Sequence, residues 1–109
     1  MGKFVITKRA NGEFQFNLKA GNNQVVLTSE GYKTKSACEN GIASTRKNSV
    51  DESKFDRKKS TNEKFYFNLK AANGEIIGTS EMYESNQACE NGIASVQKNA
   101  PDATVDDQA

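Results

Sequence analysis

The sequence predicts an α+β fold in which two βββα repeats share one antiparallel sheet, with two helices packed against it and an approximate two-fold axis between the halves. Three observations carry this reading. The stretch ACENGIAS begins at Ala37 and begins again at Ala88. Within each copy the apolar period changes once, from two to about 3.6 residues. Between the alternating stretches stand Asn and Gly residues that suit tight hairpin turns.

Lys3 to Val50 aligns with Lys54 to Pro101 at a constant offset of 51 residues, without a gap and with about half the aligned positions identical. This is a duplication. A unit of about 50 residues buries too little surface to be comfortable alone. The 109 residues are therefore expected to form a single domain, made of two repeats (about 3–50 and 54–101) around one core, followed by a short C-terminal strand or tail.

In EFQFNLKA, Phe14, Phe16, Leu18 and Ala20 alternate with Gln15, Asn17 and Lys19, the pattern of a strand with one buried face. KFYFNLKA repeats it with Phe65, Phe67, Leu69 and Ala71. Asn22-Asn23 and Asn73-Gly74 then supply residues that tolerate positive φ, as a two-residue hairpin turn requires, and QVVLTSE and EIIGTSE follow as second strands. Ahead of each hairpin lies a further extended stretch, KFVITKR or KFDRKKS. The latter reads as an exposed or edge strand because Arg57 stands where Ile6 does, and it can close the first copy while opening the second.

From Thr34 onward the period is helical. Ala37, Cys38, Gly41, Ile42 and Thr45 fall on one arc, and Ala88, Cys89, Gly92, Ile93 and Val96 repeat it. Thr34 and Ser85 are natural N-caps, Lys47 and Lys98 sit at the negative end of the dipole, and Asn48 or Asn99 suits a left-handed exit. A mid-helix glycine costs about 1 kcal/mol relative to alanine, so Gly41 and Gly92 imply a close approach of the helix to the sheet or to the other helix. In PDATVDDQA a last short strand is expected around Thr104 to Asp106.

Composition excludes several classes of function. Fifteen Lys and Arg against 14 acidic residues leave no global field toward nucleic acid or an anionic membrane. The only early apolar run, Phe4 to Ile6, is too short for a signal-peptide core or a membrane span, so a cytoplasmic location without membrane contact is expected. With no His, the two thiols lack the usual base, and Cys38 and Cys89 read as packing residues on the helix arc. No metal-ligand set, phosphate loop or nucleophile elbow is present, so neither a cofactor nor catalysis is expected. Glu39 and Glu90 could pair across the two-fold axis, but a solvated helix face explains them more simply.

The segments FNLKA, TSE followed two positions later by Tyr, and ACENGIAS ending in KN resemble the YegP-like family of small uncharacterised bacterial proteins, in its two-repeat form. The resemblance covers nearly the whole chain. It implies tandem βββαβ units around one antiparallel sheet, with exchange of the strand that follows each helix, and it implies no activity.

What remains is the sheet face opposite the helices. Gln15, Asn17, Lys19, Thr28 and Glu30 are matched there by Tyr66, Asn68, Lys70, Thr79 and Glu81. Asn17, Lys19, Thr28, Glu30, Asn68, Lys70, Thr79 and Glu81 are identical between the copies, whereas buried pairs such as Val25/Ile76 and Leu27/Gly78 have changed. These eight form the candidate binding face of a small, non-enzymatic binding module, monomeric and with an unknown partner. The alternative is single-stranded nucleic-acid binding on the same face, from the Lys- and Arg-rich segment Lys54 to Lys70 and the FYF triplet. Against it, the phenylalanines fall on the buried phase, leaving only Tyr66 to stack.

Residues 1–50 expressed alone should give an unfolded chain or a dimer in sedimentation and NMR measurements. A stable monomer with a dispersed spectrum would contradict the shared core.

Overall fold

In a computed structural model, which describes residues 2–109, the elements run Lys3–Lys8 (β1), Phe14–Lys19 (β2), Val25–Ser29 (β3), Lys35–Asn48 (α1), Phe55–Lys59 (β4), Phe65–Lys70 (β5), Ile76–Thr79 (β6), Asn86–Asn99 (α2) and Thr104–Asp107 (β7). The seven strands make one sheet in the order β4-β5-β6-β3-β2-β1-β7. The two halves meet where β3 and β6 pair antiparallel, Thr28 opposite Thr79 and Ser29 opposite Gly78. All neighbours are antiparallel except β7, which lies parallel to β1. The expected wholly antiparallel sheet is corrected in this one place. A strand that arrives after α2 from the other half cannot reach β1 by a hairpin, and the crossover sets its direction. Each strand that follows a helix thus joins the other half, β4 onto β5 and β7 onto β1.

The alternation in the sequence sorts β2 and β5 as expected, but in the second strands Val25 is only partly buried and Ile76 is exposed while Val26 and Ile77 are buried, because the register shifts between Leu18 and Lys19 and between Leu69 and Lys70. Phe4, Ile6, Phe16, Leu18, Leu27, Phe55, Phe67 and Leu69 enter one core cluster with Cys38, Ile42, Cys89, Ile93 and Val96. Phe4 meets Phe16 edge-on with ring centroids 5.5 Å apart, and Phe55 meets Phe67 in the same way. The cover is crossed: α1 packs on β2 and reaches β5 and β6, while α2 packs on β5 and reaches β3. Thr34 Oγ1 accepts the Ala37 N–H at 3.0 Å and Ser85 Oγ accepts that of Ala88 at 3.0 Å, which makes both residues the N-caps.

Two local expectations are corrected. Neither helix leaves through a left-handed asparagine. Both run on through right-handed residues, and Asn48 and Asn99 instead turn their side-chain amides back to the carbonyls of Ser44 and Ser95 at 2.9 and 2.8 Å. The hairpin turns are also one residue longer than the two-residue type. In each, a single residue takes positive φ (Gly12, Asn23, Glu63 and Gly74), and a second bond across the loop, such as Ala71 N–H to Glu75 O at 2.9 Å, closes a bulge.

Gly41 and Gly92 do mark a close approach, but the neighbour is a tyrosine. A Cβ on Gly41 would lie 2.7 Å from Tyr32 Cζ, and one on Gly92 would lie 2.7 Å from Tyr83 Cζ. Tyr32 cannot readily swing away. Its backbone exchanges two bonds with Phe14 at 2.7 Å, and its ring stacks on Phe16. Gly41→Leu should therefore lower stability by about 1–3 kcal/mol through overpacking, read as a fall in melting temperature. An unchanged melting temperature would contradict this packing.

Candidate functional site

Strand register decides which of the candidate residues meet. On the face away from the helices, one row crosses all seven strands: Asp106, Val5, Asn17, Thr28, Thr79, Asn68 and Asp56. The middle four are the retained asparagine and threonine pairs, now adjacent across the two-fold axis. Lys19 and Lys70 stand two residues along β2 and β5 on the same face. Glu30 does not join them. It lies beyond the end of β3 and lines a cleft of about 730 Å³ between α1 and the β5–β6 turn. Glu81 is likewise beyond the end of β6 and exposed.

The row is chemically asymmetric although its letters repeat. In the second half Thr79 Oγ1 donates to Asn68 Oδ1 at 2.8 Å, and Lys70 and Lys58 both hold Asp56, at 3.1 and 3.2 Å. These two ammonium groups, Lys70 first, keep the Asp56 carboxyl below the usual carboxylate range. In the first half Asn17 Oδ1 is buried and accepts no hydrogen bond from any described residue. Val5 stands in the place of Asp56, and neither Lys19 nor its cross-strand neighbour Lys3 has a carboxylate partner among the described residues. Gln15 is engaged by Arg9 at 2.6 Å.

The 730 Å³ cleft is lined by both repeats, including Tyr32, Asn40, Gly41, Ser44 and Asn73, and a smaller counterpart repeats it with Tyr83, Asn91, Gly92, Ser95 and Asn22. The sequence did not single out this pairing of helix and turn, because the partner comes from the other repeat. Several of its polar groups already have internal work. Ser44 accepts from the Asn48 amide at 3.1 Å, and Asn73 caps its own turn by accepting the Glu75 N–H at 3.0 Å. Ser29, from the repeated TSE, is used similarly: its hydroxyl accepts from the buried Phe16 N–H at 2.8 Å, as Ser80 does for Phe67 at 3.0 Å.

The thiols lie under the sheet, as the helix arc predicted. Burial first, then Glu39 and Asp107, push the Cys38 thiol up to about 11. Burial also raises Cys89, with Glu90 adding to it and Arg57 opposing. Neither is poised as a thiolate. Glu90 is gripped by Arg57 rather than meeting Glu39, and no cluster of three or more His, Cys, Asp or Glu suited to a metal occurs among the described residues. No described helix is long and apolar enough to cross a membrane.

The Asp56 pairing has a pH signature. Its folded pKa is depressed, so the stabilisation is complete above the unfolded value near 4 and is lost as pH falls through the lower folded value. Asp56→Asn should flatten the acid limb of stability below about pH 4, measured by denaturant unfolding at a series of pH values. An unaltered limb would show that the two lysines hold nothing there.

The family described as a domain of unknown function, DUF1508, matches this chain twice, over residues 10–56 and 60–107. The UPF0339 protein YegP of Escherichia coli K12 is 51% identical over 106 residues, covering 97% of this chain and 96% of that protein. A UPF0339 protein of Acinetobacter baylyi is 50% identical over the same length and the same shares. The solution NMR structure of Escherichia coli YegP, itself described as a protein of unknown function, superposes with a TM-score of 0.94 at 50% identity, covering 98% of this chain and 92% of that one. That of a UPF0339 protein from Shewanella oneidensis gives 0.92 at 49% identity, over 97% and 90%. With two DUF1508 repeats, half its residues identical to YegP and the same seven-stranded sheet under two helices, the chain belongs to the uncharacterised UPF0339 (YegP-like) family.

Proposed function

We propose that the protein is a non-catalytic binding module whose ligand lies on the helix-free sheet face, over Asn17, Thr28, Thr79 and Asn68, with Lys19 and Lys70 beside them. The observation that carries this is the unbroken row of identical residues across the two-fold axis, which ends in the first half with a buried acceptor that has no partner, Asn17 Oδ1. Buried polar groups are normally paired, and exceptions ask for an explanation. A ligand that donates to Asn17 and carries negative charge toward Lys3 and Lys19 would satisfy the acceptor and the unpaired cations together. Glu30 and Glu81 fall outside this site, since Glu30 lines the α1 cleft and Glu81 lies beyond the end of β6.

The same geometry argues against the nucleic-acid alternative. Lys58 and Lys70 are committed to Asp56, and among the described residues the face offers Tyr66 alone as a stacking ring, where single-strand binders use successive aromatic platforms and a continuous cationic groove. The module is expected to act as a monomer in the cytoplasm.

A shift-perturbation screen of the ¹⁵N-labelled protein against small anionic metabolites, oligonucleotides and fractionated cell extract tests the reading. Shifts should map to Asn17, Lys19, Thr28 and Thr79. Lys19→Ala should weaken the response about tenfold, the size of one charge-assisted hydrogen bond, whereas Lys70→Ala should leave it nearly unchanged. Responses confined to the α1 cleft would overturn this site.

A further inference from the structure

The duplication places two equivalent slots at the two ends of the sheet, and the described residues fill only one of them. β1 and β4 occupy equivalent places, 51 residues apart. The outer edge of β1 is covered by β7, whose Asp107 is held by Lys35 of α1 at 2.9 Å, and just beyond it the Gln108 N–H donates to the Ile6 carbonyl at 2.9 Å. The outer edge of β4 is the end of the sheet. A 3₁₀ turn at Glu52–Lys54 closes its upstream part, with the Phe55 N–H bonded to the Glu52 carbonyl. Arg57–Lys59 remain open, and beside them a cavity of about 220 Å³ is lined by Arg57, Lys58, Lys59, Phe65, Asn86 and Cys89. In the filled half, Ile6 and Lys35, the counterparts of Arg57 and Asn86, meet Asp107 at the end of β7.

We infer that this slot receives an extended acidic segment of another protein, laid against Arg57–Lys59 as β7 is laid against β1. Three considerations select that occupant. The register against β1 sets Asp107 opposite Ile6, so an acid in the equivalent position meets Arg57. The positive charge that α1 supplies through Lys35 has moved to the strand, since α2 carries Asn86 there and β4 carries Arg57 in place of Ile6. Lys58 is paired with Asp56 and Lys59 with Glu63, and Arg57 is bound on one side by Glu90 and Glu52, so the donor left for an incoming acid is Arg57 Nη1, which donates to nothing among the described residues. A second β4 would present Arg57, Lys58 and Lys59 as its own open residues and so bring no carboxylate to Arg57 Nη1, whereas an acidic strand does. Nor can a second copy supply the strand by exchange. Each chain brings one β7 for two slots, so every β7 given away opens the slot it left. This inference is independent of the sheet-face site, which lies on a different surface.

The full ¹⁵N-labelled protein titrated with the peptide PDATVDDQA, the sequence of residues 101–109, provides the test, with the same peptide carrying Asp102→Asn, Asp106→Asn and Asp107→Asn as control. The expected result is shifts at Arg57, Lys58, Lys59 and Phe65, and slower modification of Cys89 by a thiol reagent with Cys38 unaffected. Affinity should fall roughly tenfold for the neutral peptide and for Arg57→Ala, the loss expected for one charge-assisted hydrogen bond. Lys59→Glu provides a second variant at an exposed position, should Arg57→Ala disturb β4. Equal binding of the neutral peptide, shifts confined to β1 and α1 through displacement of β7, concentration-dependent dimers with β4 protected, or no shifts at saturating peptide would each overturn the assignment.

Discussion

The pairing of β3 with β6 joins the two halves of the sheet, and it is short. Thr28 opposite Thr79 and Ser29 opposite Gly78 are its registered pairs. A junction this small could not hold two sub-marginal units together by backbone bonds alone. The crossed helices complete it, because each covers strands of the other repeat, and the core cluster therefore draws on both copies. At the junction the symmetry has to break. A Cβ on Gly78 would sit 2.8 Å from the Thr28 carbonyl and 3.0 Å from Leu27 Cγ, so one leucine fills space near the axis that two could not share. Leu27 and Gly78 are thus a complementary pair, produced by the duplication and then fixed by packing.

The same logic explains most of what the repeats keep. Gly41 and Gly92 are held by the tyrosine above each, Ser44 and Ser95 by the asparagine one turn later, and Ser29 and Ser80 by a buried N–H that the strand ladder leaves unpaired. Such groups are costly to remove because the partner stays buried and unsatisfied. Glu39 and Asn40 are left without a packing account. Their counterparts are used differently, Glu90 by Arg57 and Asn91 by Gln87.

Where the copies differ, charge is what differs most. Asp56 for Val5 neutralises the second half of the open face and leaves Lys3 and Lys19 unpaired in the first. Arg57 for Ile6, with Asn86 for Lys35, moves a cation from helix to edge strand. Two substitutions on one edge thus make the two ends of a nearly symmetric sheet electrostatically distinct. Surface pairs of this kind add little stability, and their effect is on what each surface can attract.

The sequence by itself determined the repeat, the seven strands, both helices with their N-caps, the buried phase of β2 and β5 and the edge character of β4. These are local properties: period, capping chemistry and turn residues act over a few positions. It also named the residues of the open face, but not their arrangement. Strand order, the parallel placement of β7, the tyrosine over each helical glycine and the departure of Glu30 from the row depend on contacts between distant segments, for which no single stretch carries a signal. Asn17 and Asn68 show this most plainly. They are the same letter in the same motif and stand in the same register opposite Thr28 and Thr79, but their other neighbours, Val5 on β1 and Asp56 on β4, come from segments that have diverged and that only strand pairing brings beside them.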